Sequence, residues 1–380
     1  MKRKIVMLLM ALSMTALLFG CGKEEKTTPN EVPKQEESVG EKETVKKEQE
    51  ETTQASKDGM VRSYLTGEWI DEEIAAKRPY AVMIGNTVDA LPQYGLSEAD
   101  VIYEVPVEAS YTRLMAIFQD VTGLEKIGST RSCRHYFVNF AREFDAIYVH
   151  YGQAVYAEPL LAQDNIHNIN GMDASVESIC FYRDNNRKAP HNAFTSEKGL
   201  KAATEKKGYR TEYADTYEGH YQFAKEGKEV TLKKGTDALV VSPGYFVNKP
   251  WFVYDEATGL YNRFEFNKEH IDGGTEGQLQ VKNIIVQYCN WDYMDQNGYL
   301  DISTVPLTNS GVGEGKYITN GKMIDITWTK EDADSPAKYF DAEGKEITLN
   351  VGKTWVCIAR DGYQDRFQVF QTEEELQTAR

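Results

Sequence analysis

The sequence predicts an α+β protein, with a mixed α/β N-terminal region followed by a mostly β C-terminal region. Three observations carry that expectation. Short apolar runs separated by turn residues begin near residue 66 and continue to the end of the chain. Between residues 132 and 144 the spacing becomes helical, with Tyr136, Phe137, Phe140, Ala141 and Phe144 on one face. From about residue 237 nearly every apolar run is strand-length, and Asn297-Gly298, Asn320-Gly321 and Glu343-Gly344 punctuate the runs as turns.

Taken in order, residues 1–20 have a basic start (Lys2, Arg3, Lys4) and an apolar run from Ile5 to Phe19, the layout of a secretory signal peptide. The run ends Leu18-Phe19-Gly20-Cys21, which resembles the lipobox of bacterial lipoproteins. That resemblance implies that Cys21 receives lipid and anchors the chain to a membrane. Residues 21–65 follow as a lipidated cysteine and a charged tether. Positions 22–59 have no aromatic residue and are dense in Lys and Glu, so they bury too little apolar surface to offset their ordering entropy. Two regions complete the division, at 66–230 and 231–380. In the first, Pro79–Ile84, Val101–Val107, Arg113–Phe118 and Ala146–His150 read as strands, and 154–163 and 196–207 as helices. In the second, strands are expected at 238–241, 252–254, 261–266, 281–288, 299–303, 317–318, 323–328, 338–340, 346–349 and 355–358. Gly311-Val-Gly313-Glu-Gly315 reads as a flexible loop, because it lacks phosphate-loop spacing and a following helix.

The 380 residues include 43 basic and 59 acidic ones, for a formal net charge of −16. Residues 60–380 alone hold −15 of it. That balance argues against a nucleic-acid partner, which selects a basic footprint. It also makes local basic clusters informative. Gly128-Ser129-Thr130-Arg131-Ser132-Cys133-Arg134-His135 is one, placed before the amphipathic helix with Ser132 as the expected N-cap. Arginines beside a helix N-terminus suit a phosphate or carboxylate. The same arginines could equally pair with Glu104 or Glu108. Those two carboxylates fall at strand spacing, where they could also act as acid and base. His150 ends an apolar strand beside Gly152, and His191-Asn192 lies in a turn-rich stretch beside Arg187. No metal-ligand spacing joins these residues, and no cofactor is expected. Cys133 near arginines could be a nucleophile or a small core residue. With Cys21 set aside, Cys133, Cys180, Cys289 and Cys357 allow three disulfide pairings, Cys289–Cys357 among them.

A set of ordered motifs carries a resemblance. In the first region they are Pro79-Tyr-Ala-Val-Met-Ile-Gly-Asn86, Pro92 to Glu104, Thr112-Arg113-Leu-Met-Ala, Arg131-Ser132-Cys-Arg134, Ala146 to Gly152 and Pro190-His191-Asn192. In the second they are Gly311-Val-Gly-Glu-Gly, Gly321 to Trp328 and Asn350-Val-Gly-Lys-Thr-Trp355. Together they resemble the YerB family, lipoproteins of Gram-positive bacteria with paired domains of unknown function. The resemblance spans about residues 66–360 and implies an α+β fold but no reaction. Within it, Cys133 stands where the family has Ala and Gly85 where it has Asp, which removes a carboxylate and weakens the thiol reading.

Three functions are open on these grounds. The first is a membrane-anchored extracytoplasmic protein that binds an anionic envelope ligand, a wall-peptide carboxylate or a polymer phosphate, through Arg113, Arg131, Ser132, Arg134, His150, His191 and Asn192. The second is a cell-wall hydrolase or transferase using Glu104 or Glu108 with His150 or His191. The third is an envelope scaffold docking through an exposed apolar patch around Trp251, Trp291 and Trp328.

Overall fold

A computed structural model describes residues 56–380. Eleven of its strands form one sheet: β1 (Tyr80–Asn86), β2 (Val101–Pro106), β3 (Thr112–Phe118), β4 (Ile147–His150), β5 (Asn168–Asn170), β6 (Thr236–Asp237), β7 (Asn283–Cys289), β8 (Gly313–Thr319), β9 (Lys322–Thr329), β10 (Lys338–Phe340) and β11 (Thr354–Arg360). Their spatial order is β6-β9-β8-β7-β11-β2-β3-β1-β4-β5, with β10 on β9. The late strand β11 lies in the middle, parallel to β7 on one side and to β2 on the other, with Cys357 opposite Glu104. The two sequence regions thus share one sheet, and residues 56–380 fall within a single unit.

Helix α1 (His135–Arg142) and α2 (Glu197–Lys207) pack on opposite faces of this sheet. On β11, Val356 and Ile358 face the α1 side with Tyr136, Phe137 and Phe140. Trp355 and Cys357 face the other side, whose core also holds Phe252 and Tyr261 of a second, six-stranded antiparallel sheet and Leu200 of α2. Burial on both faces is why these strands read as continuous apolar runs rather than alternating ones. Helix α2 is bounded by Ser196, whose side chain accepts from Gly199 N, and by Gly208 in the left-handed conformation that glycine adopts without penalty.

Two buried ionic clusters join the regions. Glu104 of β2 and Arg263 are both fully buried, and Arg263 Nη2 donates to Glu104 Oε2 at 2.7 Å. Glu265 sits 3.2 Å from Arg263 Nη1 and is equally buried. Arg263 also donates to His270 Nδ1, whose Nε2 then donates to Gln93 Oε1 at 2.8 Å. Asn86, Thr112, Asn248 and Trp355 supply further donors to Glu104. In the second cluster Lys330 Nζ donates to Glu143 Oε1 at 2.5 Å, and His220 lies 3.2 Å from the same carboxylate.

Several expectations change. Residues 56–65, assigned to the tether, begin a three-stranded sheet of Ser56–Lys57, Met60–Arg62 and Trp69–Asp71, and Leu65 is fully buried in the core. Gly313 and Gly315 belong to β8 rather than a loop. A side chain at Gly313 would collide with the Trp328 ring, and one at Gly315 with Val286 O, so glycine here serves close packing within a sheet. The helix begins at His135 with Arg134 as N-cap, not Ser132. Residues 130–133 are extended because Thr130 bridges to Ile84 and Cys133 to Gln153. Residues 346–349 form only isolated bridges. All four cysteines of the described residues are free and buried, and Cys289 and Cys357 face opposite sides of the main sheet, which prevents their pairing. Trp251 and Trp328 are buried, so the tryptophan patch expected of a scaffold does not form. Among the described residues no helix is long and apolar enough to cross a membrane.

Candidate functional site

The site is built where β1, β3 and the extended 130–134 segment meet. Gly85 of β1 pairs with Arg113 of β3. A Cβ at Gly85 would lie 3.0 Å from Arg131 Cγ, so the absent side chain leaves room for Arg131 to cross beside Arg113. Arg113 Nη1 donates to Ser132 O at 2.6 Å, and Arg131 Nη1 donates to Pro190 O at 3.1 Å. Among the described residues neither arginine has a carboxylate within 4 Å.

Arg134 is different. Its Nε and Nη2 both donate to Glu108, each at 2.6 Å, a bidentate pair of the strongest kind. Burial opposes charge on both partners, but the pair outweighs it, holding Glu108 below the usual carboxylate range and Arg134 above its own. Arg134 also lies over the Tyr299 ring, 5.4 Å from its centroid.

The three guanidinium groups crowd one another. Burial pulls Arg113 down to about 9, and the charges of Arg134 and Arg131 push the same way. Arg131 is lowered by burial and by Arg134. His191 is lowered by burial and then by Arg131, and its Nδ1 is buried with no hydrogen-bond partner. Arg187, which donates to Ala90 O and Pro92 O, adds to the field on His191, and Asp89 partly offsets it. At neutral pH the arginines remain charged, so the segment holds three partly desolvated cations against one carboxylate in direct contact.

The other expected residues fall elsewhere. His150 is fully buried: its Nδ1 donates to Gly152 O at 2.8 Å and its Nε2 lies 3.2 Å from Asn168 Oδ1. Burial pulls it down to about 4, so it is neutral and holds the Gly152 turn, whose carbonyl also receives Cys133 N–H. It therefore does not open onto the arginines. Asn192 Oδ1 accepts from Arg183 and its carbonyl from Asp184 N, which makes it part of a turn. Ser132 is half-buried and next to Gly152, a side chain at which would approach the Ser132 hydroxyl to 3.5 Å.

Glu104 does not pair with Arg113, Arg131 or Arg134 but with Arg263, on the opposite face of the sheet. Strand spacing does not reach Glu108, because β2 ends at Pro106 and a turn with left-handed Ala109 and Ser110 follows. The two carboxylates thus occupy separate environments, one sealed in the core and one fixed to Arg134, and no acid–base pair results. Burial pushes the Cys133 thiol up to about 12, which removes it as a nucleophile at neutral pH. Sequence reading missed Arg263, Glu265 and His270. Nothing local marks them, since their partner Glu104 lies 159 residues before Arg263.

These features define a class: an α+β protein built from two sequence regions on one sheet, with an arginine cluster at a strand end that one carboxylate only partly compensates. The chain belongs to the DUF3048 family of proteins of unknown function, whose N-terminal domain matches residues 65–210 and whose C-terminal domain matches residues 241–356. It is 31% identical over 307 residues to a Bacillus subtilis (strain 168) protein that carries the name YerB and a lipoprotein designation, covering 79% of this chain and 87% of that one. A crystal structure of the Bacillus subtilis YerB protein matches with a TM-score of 0.69 at 28% identity, covering 82% of this chain and all of that one.

Proposed function

We propose that the protein is a lipid-anchored envelope protein that binds an anionic ligand through Arg113, Arg131 and Ser132, with Arg134 and His191 at the margin. The anchor would be Cys21, on the extracytoplasmic face; Cys21 lies outside the described residues. The lipoprotein designation of the 31% identical relative supports anchoring. A single observation carries the ligand reading: two neighbouring, largely desolvated arginines have no carboxylate partner among the described residues, in a chain that is otherwise strongly acidic. An oxyanion entering here would relieve their mutual repulsion and accept their unused N–H groups. Wall-peptide carboxylates or polymer phosphates have the required chemistry.

The test is retention of the protein on isolated wall fragments. Arg131→Ala is expected to weaken retention at least tenfold, since a charge-assisted hydrogen bond contributes about 1.5–3 kcal/mol. Arg210→Ala, which removes an arginine already paired with Asp145, is expected to change it little. Equal retention of Arg131→Ala and the unaltered chain would refute the reading.

A further inference from the structure

We propose a second oxyanion site, separate from the Arg113–Arg131 cluster, in which Arg360 and Arg366 bind the carboxylate or phosphate group of a ligand. Arg360 ends β11 and is only 8% exposed. Its guanidinium carbon lies 5.1 Å from the centroid of Phe246, 4.4 Å from that of Trp291 and 4.7 Å from that of Tyr363. Rings thus surround the cation, yet it makes no hydrogen bond to a described residue and has no carboxylate within 4 Å among them.

A buried charge without a paired partner is costly and rare. The acid next in sequence does not serve. Asp361 accepts from Asn290 Nδ2, Gln364 Nε2 and Gly362 N instead. Aromatic faces stabilise the cation from the sides, which leaves the N–H edge of the guanidinium as its unused recognition surface. Arg366 adds a second fork on the same ring, 3.8 Å from the Phe246 centroid, with Nε anchored on Gly244 O at 2.8 Å.

The two arginines line a narrow pocket together with Ser110 and Thr112 from the first sequence region and Tyr245 from the second. Its volume of 20 Å³ is that of one small site, enough for a water-sized group. The pocket therefore suits the oxygen end of an oxyanion, while the rest of the ligand remains outside. Its Thr112 wall lies on the face of the sheet opposite Arg113, because Thr112 and Arg113 are successive residues of β3 and point to opposite sides, and Arg360 reaches the pocket from the end of β11.

Calorimetric titration of the full chain bearing Arg131→Ala tests this with the first cluster weakened. The probes are inorganic phosphate and glucuronate, which separate a phosphate ligand from a carboxylate one. Saturable binding of either probe is expected, at least tenfold weaker when Arg360→Lys is added, since lysine keeps the charge but loses the planar fork. Arg366→Gln, at a half-exposed position, should weaken binding as well and decides the matter if Arg360→Lys melts early by circular dichroism. Absence of saturable binding in the Arg131→Ala chain, or binding unchanged by both further substitutions, would overturn the proposal. Wall retention that is insensitive to Arg131→Ala would instead count against the first cluster alone.

Discussion

Arg263→Met is expected to destabilise the protein by about 3–5 kcal/mol, the usual cost of removing one member of a buried ion pair. The substitution leaves Glu104 and Glu265 without a cation, and both are fully buried. It also removes the donor to His270 Nδ1 and the cation 4.2 Å from the Trp355 centroid. The favourable contacts of the pair matter less here than the charges left behind. Adding Glu104→Gln and Glu265→Gln to Arg263→Met should therefore recover part of the loss. Urea unfolding of the three proteins measures this. A loss under about 1 kcal/mol for Arg263→Met would mean that the cluster is not the joint between the two regions that its burial implies.

Acidification from pH 7 to 5 is expected to lower the stability of the protein. His150, His220 and His270 are all buried and all held below the ordinary histidine value by burial, His150 at about 4. His220 is close to Glu143, but Lys330 already neutralises that carboxylate, so the imidazole stays uncharged. Below about pH 6.5 the unfolded chain binds protons that the native state refuses. Stability therefore falls with pH through this window, and for His150 the loss ends near pH 4, where the folded imidazole also protonates. His150 contributes about 2 kcal/mol between pH 7 and 5, and His220 and His270 act in the same direction.

Asp100 acts oppositely. Burial raises it to about 7, so its native form takes a proton first as pH falls, which returns about 2 kcal/mol over the same range. Glu143, also raised by burial, works in that direction. The three histidines are expected to set the direction of the net change. Urea unfolding at pH 7 and pH 5 should show the net loss, and His150→Gln should reduce it by about 2 kcal/mol. Stability that is flat or higher at pH 5 would contradict the assignment of neutral buried histidines.

Much of the fold was legible because the apolar runs that become β1, β2, β3, β4 and β11 are long and uninterrupted. Their neighbours were not. A strand buried on both faces has no polar side to specify a partner, so nothing in Thr354–Arg360 says that it pairs with Val101–Pro106 some 250 residues earlier. The same separation hid Arg263. Glu104 was visible as a charge in an apolar strand, but locality assigned it to the nearby arginines, whereas Glu108 was the residue within their reach. The helix start was misplaced by two residues because Ser132 is a good N-cap by type, and only the bridges from Thr130 and Cys133 keep the backbone extended past it. Arg131 was legible as one cation against an acidic background. Its closeness to Arg113 depended on the missing side chain of Gly85, which composition alone does not place.

The central claim is that Arg113 and Arg131 together receive an anion. Arginine Nε–H resonances of the full chain, followed during a phosphate titration, address it directly. The resonances of Arg113 and Arg131 should move together along one saturable curve, with Arg210 unaffected because it already pairs with Asp145. If Arg113 and Arg131 stay still, or drift linearly as Arg210 does, the cluster holds no anion and the proposed function fails.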